Sequence, residues 1–399
     1  MNRIEKLIEE LCPDGVEYLT LGELGKFYGG LKGKSKQDFS HGLGRYVTYK
    51  SIYKNIAVIQ DEAEHVHVEE GENQLTLQYG DVLFTGSSEN LEEVGLSSVV
   101  CSKNDFPLFL NSFSICFRLN KNSLLNPNFS KYLFRSNSLR KQIKKTANGV
   151  TRINVSKKLL AKVLIPLPPL AIQEEIVKIL DSFTLLEAEL EAELEARRKQ
   201  YQYYRNELLN FRERERVKFF LVGSICDIKR GRVISKSFLR ENQGKYPVYS
   251  SQTFNDGVFG MISSYDFDGE YITWTTDGAN AGTVVPRNGK FSCTNVCGLL
   301  KVTDNEVNSK YLAYILGSVA KKYVNTGMGN PKLMSNQMAS IVVPVPPLEE
   351  QARIVAVLDR FDALVNDISS GLPAEIAARR KQYEYYRDKL LTFPEKKTT

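Results

Sequence analysis

Pro166-Leu-Pro-Pro-Leu-Ala-Ile-Gln-Glu-Glu-Ile-Val-Lys-Ile-Leu-Asp-Ser-Phe183 returns 178 residues later as Pro344-Val-Pro-Pro-Leu-Glu-Glu-Gln-Ala-Arg-Ile-Val-Ala-Val-Leu-Asp-Arg-Phe361, identical at 10 of 18 positions. A second block, Ala196-Arg-Arg-Lys-Gln-Tyr-Gln-Tyr-Tyr-Arg-Asn-Glu-Leu-Leu-Asn-Phe211, returns as Ala378 to Phe393 with 12 of 16 positions kept, now 182 residues away. Self-similarity of this kind outranks local propensity as a guide to architecture. Fainter echoes flank the blocks: Leu21-Gly22-Glu23-Leu24 against Val222-Gly223-Ser224-Ile225, and Ser130-Lys131-Tyr132-Leu133 against Ser309-Lys310-Tyr311-Leu312. Between the echoes the halves diverge, so the order is variable domain, helix, variable domain, helix.

Each block opens on a proline cluster (Pro166, Pro168, Pro169; Pro344, Pro346, Pro347), which ends a strand and suits a helix entry. Apolar residues then recur at Ile172, Ile176, Ile179, Phe183, Leu186, Leu190, Leu194, Tyr201, Tyr204 and Leu208, a 3-4 spacing with one extra step of four. That is a coiled-coil seam with a stutter. The second copy runs through Ile354, Leu358, Phe361, Val365, Ile368, Leu372, Ile376, Tyr383, Tyr386 and Leu390, with Gly371 and Pro373 marking a kink or a break and restart. Five glutamates (187, 189, 191, 193, 195) precede Arg197, Arg198 and Lys199, and the basic cluster returns as Arg379, Arg380 and Lys381. Acid before base suits each helix dipole and makes two such helices complementary when antiparallel, although a solvated charged face has the same composition.

The expected fold is therefore mixed α/β (α+β): two globular domains and two long helices packed as an antiparallel coiled coil, related by a pseudo-two-fold internal repeat. The boundaries read as domain one 1–167, helix 168–215, domain two 216–345 and helix 346–399. A helix of about 41 residues makes a rod of roughly 60 Å, equal to about 18 base pairs at 3.4 Å per step. Short β-type runs (Gly80 to Thr85; Tyr271 to Thr276) and one helix near each domain's end (about 128–145 and 308–323) complete the outline.

The composition, 42% hydrophobic and 25% charged over 399 residues, is that of ordinary globular protein, and no apolar run reaches the length of a membrane span. The chain reads as cytoplasmic. Six scattered cysteines form no C-x-x-C pair, so neither a disulfide framework nor a zinc ribbon is expected. A net charge of +6 permits a polyanionic partner without requiring one.

Glycine-punctuated segments rich in basic and amide residues are the candidate contacts to nucleic acid. In the first domain they supply Lys32, Lys34, Lys36, Ser87, Ser88, Asn148, Arg152 and Asn154; in the second, Arg230, Arg232, Thr276, Asn280, Asn330 and Lys332. Lysine and arginine neutralise phosphates, and Arg, Asn, Ser and Thr hydrogen-bond base edges. Surface turns use the same residues.

Enzyme signatures fail one by one. Tyr28-Gly-Gly-Leu-Lys-Gly-Lys-Ser35 approaches a phosphate loop but has tyrosine for its first glycine, and Lys36 to Gly42 shows no helical period. Asn126-Pro127-Asn128-Phe129 lacks the second proline of an amino-methyltransferase motif. The only histidines, His41, His65 and His67, all lie in the first domain and give a triad or metal centre little to draw on.

Two divergent domains, each followed by P-x-P-P-L-x-x-Q-x-x-I-V-x-x-L-D-x-F and A-R-R-K-Q-Y-x-Y-Y-R-x-x-L-L-x-F, resemble the specificity subunits of type I restriction-modification systems across the whole chain. The resemblance implies that each variable domain is a target-recognition domain for one half of a bipartite, asymmetric duplex DNA site. It implies that the helices space these domains and dock two modification (methyltransferase) subunits, with restriction subunits joining later. The docking candidates are Gln173, Arg197, Arg198, Tyr201, Gln351, Arg379, Arg380 and Tyr383. S-adenosylmethionine, ATP and Mg are then expected on those partners, with no cofactor, metal or catalytic residue in this chain. Two other readings stay open on residues alone: a coiled-coil adaptor or RNA binder using the same loops, and an enzyme domain without a familiar motif.

Overall fold

The computed structural model describes residues 3–39, 41–121, 123–211, 217–327, 329–367 and 369–396. The expected boundary at 215/216 and the seam position Ile368 lie outside them. The chain divides into two compact units, residues 1–191 with 376–399 and residues 192–375. The division falls inside the helices Leu170–Leu208 and Leu372–Leu390, between residues 191 and 192 and between 375 and 376.

In unit 1 an antiparallel sheet runs in the order Gly25–Gly29, Ser114–Leu119, Val82–Thr85, Ser97–Val99. Val82 and Phe84 point into the core shared with the helices, while Leu83 enters a second core with Val47, Leu108 and Leu110. Alternation with both faces covered explains a strand buried at every position. The second core backs onto a three-stranded sheet in which Gly44–Val47 pairs antiparallel with Glu64–Val66 and parallel with Leu108–Leu110.

Unit 2 repeats this design. Its antiparallel sheet runs Cys226–Arg230, Cys297–Val302, Tyr271–Thr275, Val284–Arg287. Ile272 and Trp274 face the helical core and Tyr271 the opposite one. Beyond it Gln243–Tyr249 pairs antiparallel with Val258–Ile262 and parallel with Lys290–Cys293. Each unit is closed by a short antiparallel pair next to a proline cluster, Tyr18–Thr20 with Leu164–Pro166 and Lys218–Leu221 with Val342–Val345. The faint Leu-Gly-Glu-Leu and Val-Gly-Ser-Ile echoes are the one-turn helices Leu21–Leu24 and Val222–Ile225. A Cβ on Gly22 would lie 3.1 Å from the Ala161 carbonyl oxygen, and one on Gly223 3.1 Å from the Ala339 Cβ, so both glycines serve the same close approach.

The helix of the first copy is continuous over Leu170–Leu208. The second is broken into Leu348–Asn366 and Leu372–Leu390, so the break and restart expected at Gly371 is what forms. There the Asp367 side chain accepts from the Ser369 amide at 2.7 Å and the Ser369 hydroxyl at 2.6 Å. Those bonds hold its carboxyl down at a pKa of about 2. The single helix expected at 128–145 is two, Pro127–Leu133 and Asn137–Lys144, with the Ser136 hydroxyl capping the second.

Within unit 1, Phe183 stacks on Tyr386 at 5.7 Å and lies 6.3 Å from Tyr383, and Arg380 bridges Glu187 and Glu191. Rising numbers on one helix meet falling numbers on the other, which is the antiparallel pairing read from the charges. Closer to the sheet the helix turns another face inward: Ile172, Ile176 and Leu180 are fully buried in the domain core, and Leu180 takes the place expected for Ile179.

Candidate nucleic-acid interface

At one end of the unit 1 sheet, Ser87–Ser88 pairs with Ile153–Val155, which pairs with Ala147–Asn148. The hairpin turns at Gly149, whose φ of +129° and closeness to the Arg152 carbonyl (2.1 Å from a built Cβ) exclude any other residue. Register sets Asn148 opposite Asn154 and Asn154 opposite Ser87. Five candidates, Ser87, Ser88, Asn148, Arg152 and Asn154, are thereby brought to one fringe. The Arg152 Nη2 donates to the Ser87 hydroxyl at 3.3 Å, and its guanidinium lies 5.4 Å from the centre of the Phe113 ring. Phe113 is 61% exposed. Buried Asn111 holds it there, its Oδ1 accepting from the Phe113 amide at 3.0 Å and the Ser114 hydroxyl at 3.1 Å. Sequence reasoning passed over Phe113; an aromatic in the Asn-Ser-Phe-Ser turn between two strands was the available signal.

The basic loop of unit 1 is a separate feature. Lys32 and Lys36 are exposed, but Lys34 is not the free cation its glycine-rich setting suggested. Its side chain is 8% exposed and paired with Glu72, whose carboxyl is held near pKa 2 by hydrogen bonds from Gln74 and then Lys34. The Gln74 amide also closes the loop, donating to the Lys32 carbonyl at 2.8 Å. Lys34 therefore stabilises the loop and is withdrawn as a phosphate contact. The one-turn 3₁₀ segment Gln37–Phe39 follows, so among the described residues the phosphate-loop resemblance has no α-helix directly behind it.

Unit 2 builds the same fringe from other chemistry. Asp277 bridges to Lys332, and Lys332 to Asn325. The Arg230 Nη2 donates to the Thr276 hydroxyl and the Asn295 carbonyl, each at 2.8 Å, and sits 3.4 Å from Asp277. Arg232 pairs with Asp266 at 2.9 Å and covers Phe238. Asn280 donates to the Ser251 carbonyl, and Asn330 and Lys332 are exposed. Thr276 is fully buried, its hydroxyl spent between Arg230 and Asp277, so it supports the arginine and cannot itself reach a ligand. Met328, in the segment that carries Asn330 and Lys332, lies outside the described residues.

The docking candidates divide in the same way. Gln173 and Gln351 are wholly buried, contrary to expectation. The Gln173 amide accepts from the Asn126 backbone at 2.8 Å and donates to the carbonyls of Leu124 and Pro168; Gln351 does the same with Asn308, Glu306 and Pro346. Each is an internal staple between helix and sheet domain. Tyr201 and Tyr383 are half-buried against Phe361 and Phe183. Arg197 pairs with Glu193, Arg379 donates to Gln382, and Arg198 is exposed.

A family model described as the type I restriction modification DNA specificity domain matches residues 13–196 and again 214–378. The chain belongs to that family. Its copy boundaries fall on the repeat read from the sequence, and family members are non-catalytic DNA-recognition components. A Mycoplasma pneumoniae protein named as a type I specificity subunit is 46% identical over 235 residues, covering 57% of this chain and 92% of the relative. The Escherichia coli EcoR124I/EcoR124II specificity subunit is 37% identical over 262 residues, 59% of this chain and 64% of that one. The crystal structure of a type I S subunit from M. genitalium shares the fold at TM-score 0.55 and 16% identity, covering 96% and 97% of the two chains. A chain from a study of type I complex assembly gives TM-score 0.65 at 18% identity, covering 95% and 98%. Among the described residues no helix of this specificity subunit is long and apolar enough to cross a membrane, and no cluster of metal-ligating side chains is present.

Proposed function

We propose that this specificity subunit reads a bipartite, asymmetric site on duplex DNA, one half-site per unit, in the cytoplasm and in a complex with two modification subunits and, for cleavage, restriction subunits. One observation carries the reading: the same sheet and fringe are built twice, with Ser87, Asn148, Arg152 and Asn154 at one and Arg230, Asp277, Asn330 and Lys332 at the other. Similar scaffolds with different hydrogen-bonding edges suit two different base sequences, unlike the palindrome read by a symmetric dimer. Lys32 and Lys36 supply phosphate contacts, while the exposed parts of Arg197, Arg198, Tyr201, Arg379, Arg380 and Tyr383 form the docking face.

The helical segments act as the ruler. Leu186-Glu-Ala-Glu, Leu190-Glu-Ala-Glu and Leu194-Glu-Ala-Arg are three tandem tetrapeptides in the continuous helix. Deleting Leu190 to Glu193 shortens it by about 6 Å and turns its far end by about 40°. Methylation-site sequencing in cells carrying the variant and its modification partner should show both half-sites kept and the spacer between them changed. An unchanged spacer sinks the ruler.

A further inference from the structure

Beside the unit 1 fringe lies a cleft of about 660 Å³ lined by Tyr49, Ser87, Glu89, Glu93, Phe113 and Arg152 among others. Its chemistry is unusual for a surface that meets a polyanion, because two carboxylates share it with one guanidinium. Glu93 is occupied locally, accepting from Asn90 at 3.3 Å and from Ser88 at 3.5 Å. Glu89 is exposed and has no hydrogen-bond or ion-pair partner among the described residues. Arg152 likewise forms no ion pair there. Its donors are oriented by Ser87 on one side and the flat face of Phe113 on the other. A guanidinium stacked on an aromatic ring loses less freedom when it forms two parallel hydrogen bonds.

We infer that this cleft reads a G·C pair through its major-groove edge, Arg152 donating to guanine O6 and N7 and Glu89 accepting from the amino group of the paired cytosine. Carboxylates beside the arginine repel a phosphate but suit a base edge that offers an N–H donor. Guanine alone presents two adjacent acceptors to a donor-only fork, whereas adenine sets a donor beside N7 and thymine a methyl beside O4. The inference rests on the reading of the chain as a duplex-DNA reader, and it names the base pair and the two residues responsible.

The test uses the full chain with its modification partner and pools of duplexes randomised in one half-site at a time. Selection by the wild type should return one obligatory G·C pair that depends on Arg152. Arg152→Ala should weaken binding to that site by about tenfold to a hundredfold and abolish the preference at that base pair alone. Arg152→Lys, which keeps the charge but not the fork, should also lose the preference while its affinity for unrelated DNA stays unchanged. Glu89→Ala should relax the same pair more mildly. A loss spread evenly over all sequences, repaired by lysine and accompanied by a salt slope shallower by about one, would make Arg152 a phosphate contact and overturn the inference. So would variants that select as the wild type does. A wild type that selects sequences containing no obligatory G·C pair overturns this inference alone; a wild type with no sequence preference overturns the DNA-reading function with it.

Discussion

In unit 1 Phe183 packs against Tyr383 and Tyr386; in unit 2 Phe361 packs against Tyr201 and Tyr204. Each unit thus takes its phenylalanine from one copy of the first repeated block and its tyrosines from the other copy of the second block. Gln173 and Gln351 staple equivalent backbone groups. Asp181 accepts from Lys131 at 2.9 Å and the Tyr132 hydroxyl at 2.6 Å, and Asp359 from Lys310 at 2.7 Å and the Tyr314 hydroxyl at 2.6 Å. The tyrosine sits one helical turn later in unit 2 because Tyr311, the sequence match of Tyr132, donates to the Pro344 carbonyl instead. What is repeated in sequence is support, and what diverges is the fringe. At the unit 1 fringe the guanidinium rests on a hydroxyl and an aromatic ring, whereas at the unit 2 fringe it has an aspartate beside it.

The strongest way to break this equivalence is to remove one staple at a time. Gln173→Leu leaves the Asn126 amide and the Leu124 and Pro168 carbonyls without partners in a buried site, at a cost on the order of 2–4 kcal/mol. Gln351→Leu should cost unit 2 the same through Asn308, Glu306 and Pro346. Hydrogen exchange by mass spectrometry should show loss of protection in the mutated unit for each variant. Equal and small effects in both units would mean that the glutamines are replaceable and that the repeated motif owes its form to something outside the fold.

How much of this was legible beforehand depends on how far apart the partners lie in sequence. The repeated helices, their antiparallel sense and the break at Gly371 all follow from local spacing and charge order. Burial of Gln173 does not, because a glutamine in a first helical turn looks like surface until its partner, the amide of Asn126, is placed above it by the sheet. Lys34 misled for the same reason: Gly30-Leu-Lys-Gly-Lys-Ser35 reads as a basic loop, and Glu72 stands 38 residues away in sequence. Thr276 follows directly on a buried strand, and only the return of Arg230 to its hydroxyl distinguishes support from contact. Ser136, by contrast, was a local cap signal within the expected single helix, followed by Leu139, whose amide it receives.

A smaller asymmetry lies in the repeated Ala-Arg-Arg-Lys block. Arg380 bridges Glu187 and Glu191, while its counterpart Arg198 forms no ion pair among the described residues. With Arg380 53% exposed, screening limits the pair to about 0.5 kcal/mol. Arg380→Ala should lower unit 1 stability by that much in dilute buffer and by nothing measurable in high salt; Arg198→Ala should change stability under neither condition. If Arg198→Ala instead weakens capture of the modification subunit without touching stability, the free guanidinium belongs to the docking face and the two copies of the block differ in task.

The least effect is expected at the helix break, which only the second copy has. Asp367 is part-exposed, and its carboxyl is held at a pKa of about 2 by the Ser369 and Ser370 side chains and by backbone donors. The ordinary aspartate value, 3.8, is higher, so the cap's contribution is complete above about pH 4 and fades as the pH falls toward 2. Amide exchange of Ser369, Ser370 and Gly371 should accelerate through that window, with the continuous helix of the first copy unaffected at the corresponding positions around Glu189. Asp367→Asn, which keeps one acceptor but no charge, should give the low-pH exchange rates at neutral pH. Exchange rates at these amides that stay level from pH 5 to pH 2, after correction for intrinsic chemistry, would show that the break is held by Gly371 packing against the Ala363 carbonyl rather than by the aspartate.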